Sequence, residues 1–247
     1  MNKRKQQKDI DKAIANLIKY SDSGVWEARQ VQFFDEVLSG VAESLEVPAD
    51  KFYETLEDHG YMETGFVYLF ELFASTLWDN EEDSMISSYI KRRGWRETPY
   101  AKRYLSALDG SEVQLWEIVD VNAGYWVNVR PVGSTSKTMR VDERLGSQSL
   151  EERDCIAARV ISLDDKYRFG GGILLFSKEQ AQEIPTLLSQ AQEHVIKSLK
   201  QLSLEKQDCQ WSDEDILAIA EDQMQEKLPE LLFVFWASQT YVALTMA

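Results

Sequence analysis

The stretch VQLWEIVDVNAGYWVNVR, residues 113–130, decides the fold class. In its second half Tyr125, Val127 and Val129 alternate with Trp126, Asn128 and Arg130. That period of two places successive side chains on opposite faces of a strand. Val113 to Val121 is mostly β-branched and aromatic, and Asn122-Ala123-Gly124 joins the two runs as a hairpin signal. Three further runs follow: Lys137 to Val141 after the turn-rich Gly133-Ser134-Thr135-Ser136, Cys155 to Leu163, and Tyr167 to Phe176 after the turn Asp164-Asp165. Parallel neighbours need a crossover of about a dozen residues. The tight turns leave no room for one, and no helix is expected between Val113 and Phe176. The segment 111–176 therefore reads as a small antiparallel β-module of five short strands, a curled sheet or barrel. Gly170-Gly171-Gly172 lies inside the fifth run, where glycines let a strand bend sharply.

On either side the period changes to that of helices. Phe34, Val37, Leu38, Val41 and Leu45 recur three and four residues apart. That helix stops at Val47-Pro48, because the residue before proline leaves the α region. A short helix from Pro48 to about Glu57 follows, and Gly60 breaks it. Phe66, Val67, Leu69, Phe70, Phe73, Ala74 and Leu77 are apolar almost all round, the pattern of a helix inside a bundle. Burial is expected for Phe66, Phe70, Phe73 and Leu77. Asp79-Asn80-Glu81-Glu82-Asp83 reads as a solvated loop, with Ser84 capping the next helix and Thr98-Pro99 opening another. Beyond the module, Ser177-Lys178-Glu179-Gln180 has the capping-box form, Ser212-Asp213 starts a helix, and Pro229 is expected to open a last segment. The fold class is α+β. A helical region, 1–110, precedes the β-module, 111–176, and C-terminal helices, 177–247, follow it.

Composition narrows the function classes. The chain has 247 residues, 44% apolar, with seven Trp, ten Tyr and ten Phe, enough apolar area for a packed core. Its net charge of −15 disfavours binding nucleic acid with the whole surface. Acidic residues crowd into 22–83, whereas 84–110 is net basic. Cys155 and Cys209 form no CxxC pair, His59 and His194 have no histidine partner at helical spacing, and neither GxSxG nor a phosphate loop occurs. No catalytic constellation, cofactor site or metal site is expected, and the basic N-terminus lacks the apolar stretch of a secretory signal. A cytoplasmic protein is the expectation. From Leu231 to Ala247 the chain is uncharged for seventeen residues, short of the roughly twenty that a membrane span needs. It is expected to be a helix packed on the protein with one apolar side incompletely covered. That side would serve self-association or another protein, with the chain ending as a fragment of a longer one.

One basic stretch stands out. Lys91, Arg92, Arg93, Arg96, Lys102 and Arg103 are interleaved with Trp95, Tyr100 and Tyr104. Guanidinium groups neutralise phosphate and aromatic rings stack on bases; alternatively, these cations answer the preceding acidic helices. On the module, Trp116, Trp126, Arg130, Arg140 and Arg159 are candidates for a ligand face. The candidate binding patch is Lys91, Arg92, Arg93, Trp95, Arg96, Tyr100, Arg103, Trp126 and Arg130.

Three stretches carry a family resemblance. They are Arg96-Glu97-Thr98-Pro99-Tyr100-Ala101-Lys102-Arg103-Tyr104-Leu105-Ser106-Ala107-Leu108, then Leu115-Trp116-Glu117-Ile118-Val119-Asp120-Val121-Asn122-Ala123-Gly124, then Val141-Asp142-Glu143-Arg144-Leu145-Gly146-Ser147. Together they resemble a group of uncharacterised bacterial proteins in which a helical region precedes a small β-module. The resemblance implies that fold and no activity. Some members carry a cysteine-rich SEC-C zinc motif, whose cysteines this chain lacks. The functional expectation is a non-catalytic interaction or scaffold protein. The alternatives are a nucleic-acid-associated protein using residues 91–104 with the β-module, and an enzyme with carboxylate chemistry.

Overall fold

The computed structural model describes residues 3–78, 81–135, 137–205 and 211–246. Asp79, Asn80, Ser136, Cys209 and Ala247, which figure in the sequence reading, lie outside the described residues. Six helices come first: α1 (Lys3–Ser21), α2 (Val25–Ser44), α3 (Ala49–Asp58), α4 (Tyr61–Ser75), α5 (Met85–Arg93) and α6 (Pro99–Asp109), with a 3₁₀ turn Gly94–Arg96 between the last two. Ser84 and Thr98 cap as expected, accepting from the amides of Ser87 and Ala101. Five strands follow: β1 (Val113–Asn122), β2 (Trp126–Pro131), β3 (Met139–Val141), β4 (Cys155–Leu163) and β5 (Lys166–Phe176). Two long helices, α7 (Lys178–Glu205) and α8 (Asp213–Met246), complete the chain. The fold is α+β, with N-terminal helices, a closed five-stranded barrel and C-terminal helices.

The barrel closes in the order β1-β2-β3-β5-β4. Its neighbours are antiparallel except at one place, where β3 meets β5 in parallel at Val141 and Tyr167. Among the described residues, the only helical ones between Val113 and Phe176 are the single 3₁₀ turn Gly146–Gln148, too short to be a crossover. Strand alternation turns Ile118, Val127, Val129, Val141, Ile156 and Phe169 inward, and Leu150 from the β3–β4 connection joins this inner core. The outward residues of β1, β4 and β5 face the helices: Val113, Cys155, Ala157, Ile161, Leu174 and Phe176 belong to the main core, which runs from Ile10 in α1 to Tyr241 in α8. The helical and C-terminal segments therefore share one core, with the barrel interior as a second.

α4 fills the centre of the helical layer, as its all-round apolar pattern requires. Gly65 and Tyr68 to Ala74 are buried. Phe70 and Phe73 are enclosed as expected, but Phe66 and Leu77 are 38% and 65% exposed. α4 ends at Ser75, so Leu77 falls in the extended stretch beyond it. Phe66 sits at the rim, stacked on Phe70 on its inner side.

The apolar tail also differs from expectation. Pro229 does not open a helix; it lies inside α8, which runs unbroken from Asp213. The tail leaves no wide apolar side uncovered. Leu232, Phe233, Phe235, Trp236, Ala237 and Tyr241 are buried, and from Leu231 to Leu244 only Ala243 is exposed. Phe233 stacks on Tyr68, Phe235 on Phe176, and Tyr241 meets Phe52 at 5.4 Å between ring centroids. The segment is uncharged because it is the inner wall of the bundle. No helix among the described residues is long and apolar enough to cross a membrane.

Candidate functional site

The helices cover β5, β4 and part of β1, and this joint is built around one buried carboxylate. Glu71 of α4 is 6% exposed. Its Oε1 accepts the Gly171 amide at 2.6 Å and its Oε2 the Gly172 amide at 3.3 Å. Only glycine permits this approach. A Cβ on Gly170 would lie 2.5 Å from Glu71 Oε2, and one on Gly172 would run into the Tyr68 backbone. The bend expected of the triple glycine is present: Ala158 pairs with Ile173 and Val160 with Phe169, so β5 bulges where the glycines sit. Arg159 of β4, 5% exposed, stands close by. It donates to the Ser75 hydroxyl at 2.6 Å and to the Ser111 carbonyl, while its Nε finds no protein partner. Burial pushes the Glu71 carboxyl above the ordinary glutamate range, against the pull of the Gly171 amide and Arg159. The same burial pulls Arg159 down from its usual value. Both Glu71 oxygens accept from glycine amides of β5, so the carboxyl joins α4 to the barrel as a structural latch.

On the opposite side of the barrel, no helix among the described residues packs substantially on β2 or β3. Val127 and Val129 point inward, so their neighbours point out. Arg130 stands across from Glu117 and bonds it at 2.6 Å. Asn128 stands across from both Asp120 and Arg140, and donates to Asp120 at 3.4 Å. The Arg140 guanidinium lies 4.0 Å from the Trp126 ring centroid. Tyr125, at the β1–β2 turn, is 72% exposed. Two members of the expected ligand face are elsewhere. Trp116 points into the barrel and donates its indole N–H to the Ala158 carbonyl at 3.0 Å, and Arg159 is the buried residue at the helix joint. β1 carries a bulge between Ile118 and Asp120, and alternate strand positions separate Trp116 from Glu117.

The basic stretch resolves into paired and unpaired cations. Lys91 bonds Asp83 at 2.6 Å, and Arg103 bonds Asp164 in the β4–β5 turn at 3.1 Å while lying over Tyr100. Tyr100 is half-buried and Tyr104 buried, and burial raises the Tyr104 hydroxyl well above its usual value. Lys102 packs its stem beside Gly94. Arg92, Arg93 and Arg96 are exposed and make no ion pair among the described residues. Trp95 is 75% exposed, and the Arg96 guanidinium lies 4.9 Å from its ring centroid. No hydrogen bond, ion pair or ring contact among the described residues joins Lys91, Arg92, Arg93, Trp95, Arg96, Tyr100 and Arg103 to Trp126 and Arg130. Seven of the nine expected residues lie on α5, the 3₁₀ turn and α6, and two lie on β2.

A groove of about 490 Å³ lies between α7 and α8, lined by Pro185, Leu188, Gln192, Glu221, Met224 and Leu228 among others. No cluster of metal-ligating side chains occurs among the described residues. Cys155 is a free thiol, buried and pushed upward in pKa by that burial, the opposite of an activated nucleophile.

These features define a helical protein wrapped on one side of a small barrel, with solvent-facing aromatic and basic side chains on the other side and at the α5 corner. The chain belongs to DUF7986, a family of unknown function, whose model matches residues 29–208. No curated protein and no solved structure matches the chain.

Proposed function

We propose that this chain is a non-catalytic interaction protein of the cytoplasm, and that its partner is another protein. The observation that carries the reading is the pairing of charge. Arg130, Arg103, Lys91 and Lys166 each stand against an acid at 3.2 Å or less. Within the basic stretch Arg92, Arg93 and Arg96 are exposed with no ion pair among the described residues, beside the exposed Trp95, and Trp and Arg are the residues enriched where protein partners bind most tightly. The cytoplasmic assignment rests on the scarcity of cysteine and on Cys155 being a free thiol. The test is a native pull-down read by mass spectrometry, with a variant carrying Arg92→Ala, Arg93→Ala and Trp95→Ala as the control. Partners retained by the wild type and lost by the variant are expected; an empty eluate from the wild type overturns the reading.

A second reading has one observation behind it. A closed barrel in the order β1-β2-β3-β5-β4, with β3 and β5 parallel, has the connectivity of the oligonucleotide- and oligosaccharide-binding barrel, which takes ligands across strands two and three. Here β2 and β3 are the uncovered strands, and Trp126 beside Arg140 resembles a stacking platform. Against it, Glu117, Asp120 and Asp142 share this face, and such barrels host many functions. Titration with a labelled dT15 strand decides it. Tight binding that weakens steeply with salt and is lost in Trp126→Ala would favour a nucleic-acid role.

A further inference from the structure

We propose that the corner formed by the end of α5 and the Gly94–Arg96 turn is the docking site for an acidic segment of a partner protein, a carboxylate-rich stretch carrying an apolar side chain. The proposal rests on the interaction reading and names the chemistry of the partner.

The corner is packed and hydrogen-bonded into the helical layer. Gly94 is buried, and a Cβ there would meet the Lys102 stem and the Ile90 side chain. Immediately after the turn, Glu97 is 8% exposed and accepts from the Tyr89 hydroxyl at 2.5 Å and the Asn16 amide at 2.8 Å. Residues 94 to 97 are thus anchored from both ends, and Trp95 projects from a fixed point. An indole left three-quarters exposed is unusual for a residue that is highly buried on average. Carried on this anchored turn, it loses little entropy on covering an apolar side chain.

Charge compensation within the chain does not explain the cations. Among the described residues, Lys91 is the one cation of the corner with an ion pair, to Asp83. The helix dipole favours basic residues in the last turn of α5, which accounts for the position of Arg92 and Arg93. It does not account for Arg96, which follows the helix and lies over Trp95. Three unneutralised guanidinium groups on a chain of net charge −15 form a local positive site in an otherwise repelling field. Guanidinium forks match carboxylates in two-bond geometry. A nucleic-acid strand suits the corner poorly. It wants successive stacking rings, and of the local aromatics only Trp95 is freely exposed. An acidic segment with one apolar side chain needs only one exposed ring.

The test uses the full chain and fluorescence anisotropy with three labelled ligands: a fourteen-residue Asp/Glu peptide with a central Leu, its Asn/Gln counterpart, and a dT14 strand. The acidic peptide is expected to bind at least tenfold more tightly than either other ligand, and to weaken at least tenfold from low to roughly 0.3 M salt. A variant with Arg92→Ala, Arg93→Ala and Arg96→Ala should lose at least tenfold, and Trp95→Ala several-fold. Trp126→Ala should change nothing. All these positions are at least partly exposed, and circular dichroism checks that each variant folds. The proposal is overturned if dT14 competes out the peptide, if the peptide fails to bind, or if the triple variant binds like the wild type. If that variant still retains the wild type's partners from a lysate, the corner is wrong and the interaction reading stands. If immobilised wild type retains none, the interaction reading itself fails.

Discussion

The two sides of the barrel place a glutamate near an arginine to opposite effect. On the covered side Glu71 and Arg159 are almost wholly enclosed, and each is satisfied mainly by third parties: glycine amides for the carboxylate, Ser75 and Ser111 for the guanidinium. On the free side Glu117 and Arg130 touch directly at 2.6 Å, yet about a third of each side chain meets water. Burial, not contact, sets the energetic weight. A partly exposed pair contributes little, whereas removing one member of a buried set strands the others. The latch fixes the helical layer to β4 and β5, and that fixed attachment leaves β2 and β3 open.

The largest effect expected from this contrast is that of Glu71→Ala. It leaves the Gly171 and Gly172 amides without their acceptor and removes the strongest of the opposite charges near Arg159, and should cost about 3–5 kcal/mol in urea denaturation. A loss below about 1 kcal/mol would break the contrast. Gly172→Ala comes next, at about 3 kcal/mol, because its methyl group meets the backbone of α4 and not a flexible side chain. If that variant melts with the wild type, α4 is not seated against β5.

pH sharpens the same comparison. A carboxyl held above its ordinary value binds its proton more tightly in the folded chain than in the unfolded one. For Glu71, raised by burial, the resulting stabilisation is complete below about pH 4.3, and is lost as pH rises through the folded value. The stability of the wild type relative to Glu71→Gln should therefore fall as pH rises across that window. A flat difference would mean that burial does not shift the group, and one that grows with pH would mean that the carboxylate is favoured in place. The smallest effect is on the free face. A double-mutant cycle on Glu117 and Arg130 should give a coupling of about 0.5 kcal/mol, fading in salt. A coupling of about 3 kcal/mol would mean that the free face is as tightly built as the covered one.

Much of the architecture was legible in residue patterns. The bounds of β4 coincide with those read from Cys155 to Leu163, and the five strands follow from alternation and turn chemistry. Alternation also separates Trp126 from Val127, but it does not say which face of β1 looks inward, so Trp116 was grouped with the wrong side. The latch left two faint signals. Glu71 is the only charged residue among the apolar positions of α4 from Gly65 to Ala74, and Arg159 is the only charge in the apolar run of β4. Each alone is unremarkable. Their meeting, with three glycines a hundred residues downstream of Glu71, depends on tertiary packing that no local period encodes. Pro229 follows the same rule: the long helix that contains it is held by Phe233 and Trp236 against α4, so a residue that disfavours helix interiors is carried within one.

Hydrogen exchange at the Gly171 and Gly172 amides tests the latch most directly. These two N–H groups serve the Glu71 carboxylate, so their protection reports the joint itself. They should exchange slowly in the wild type and at least tenfold faster in Glu71→Ala, with the Val127 and Val129 amides of β2 changing far less. Fast exchange at both glycines in the wild type, or no acceleration in the variant, would contradict a helical layer fastened to the barrel through Glu71.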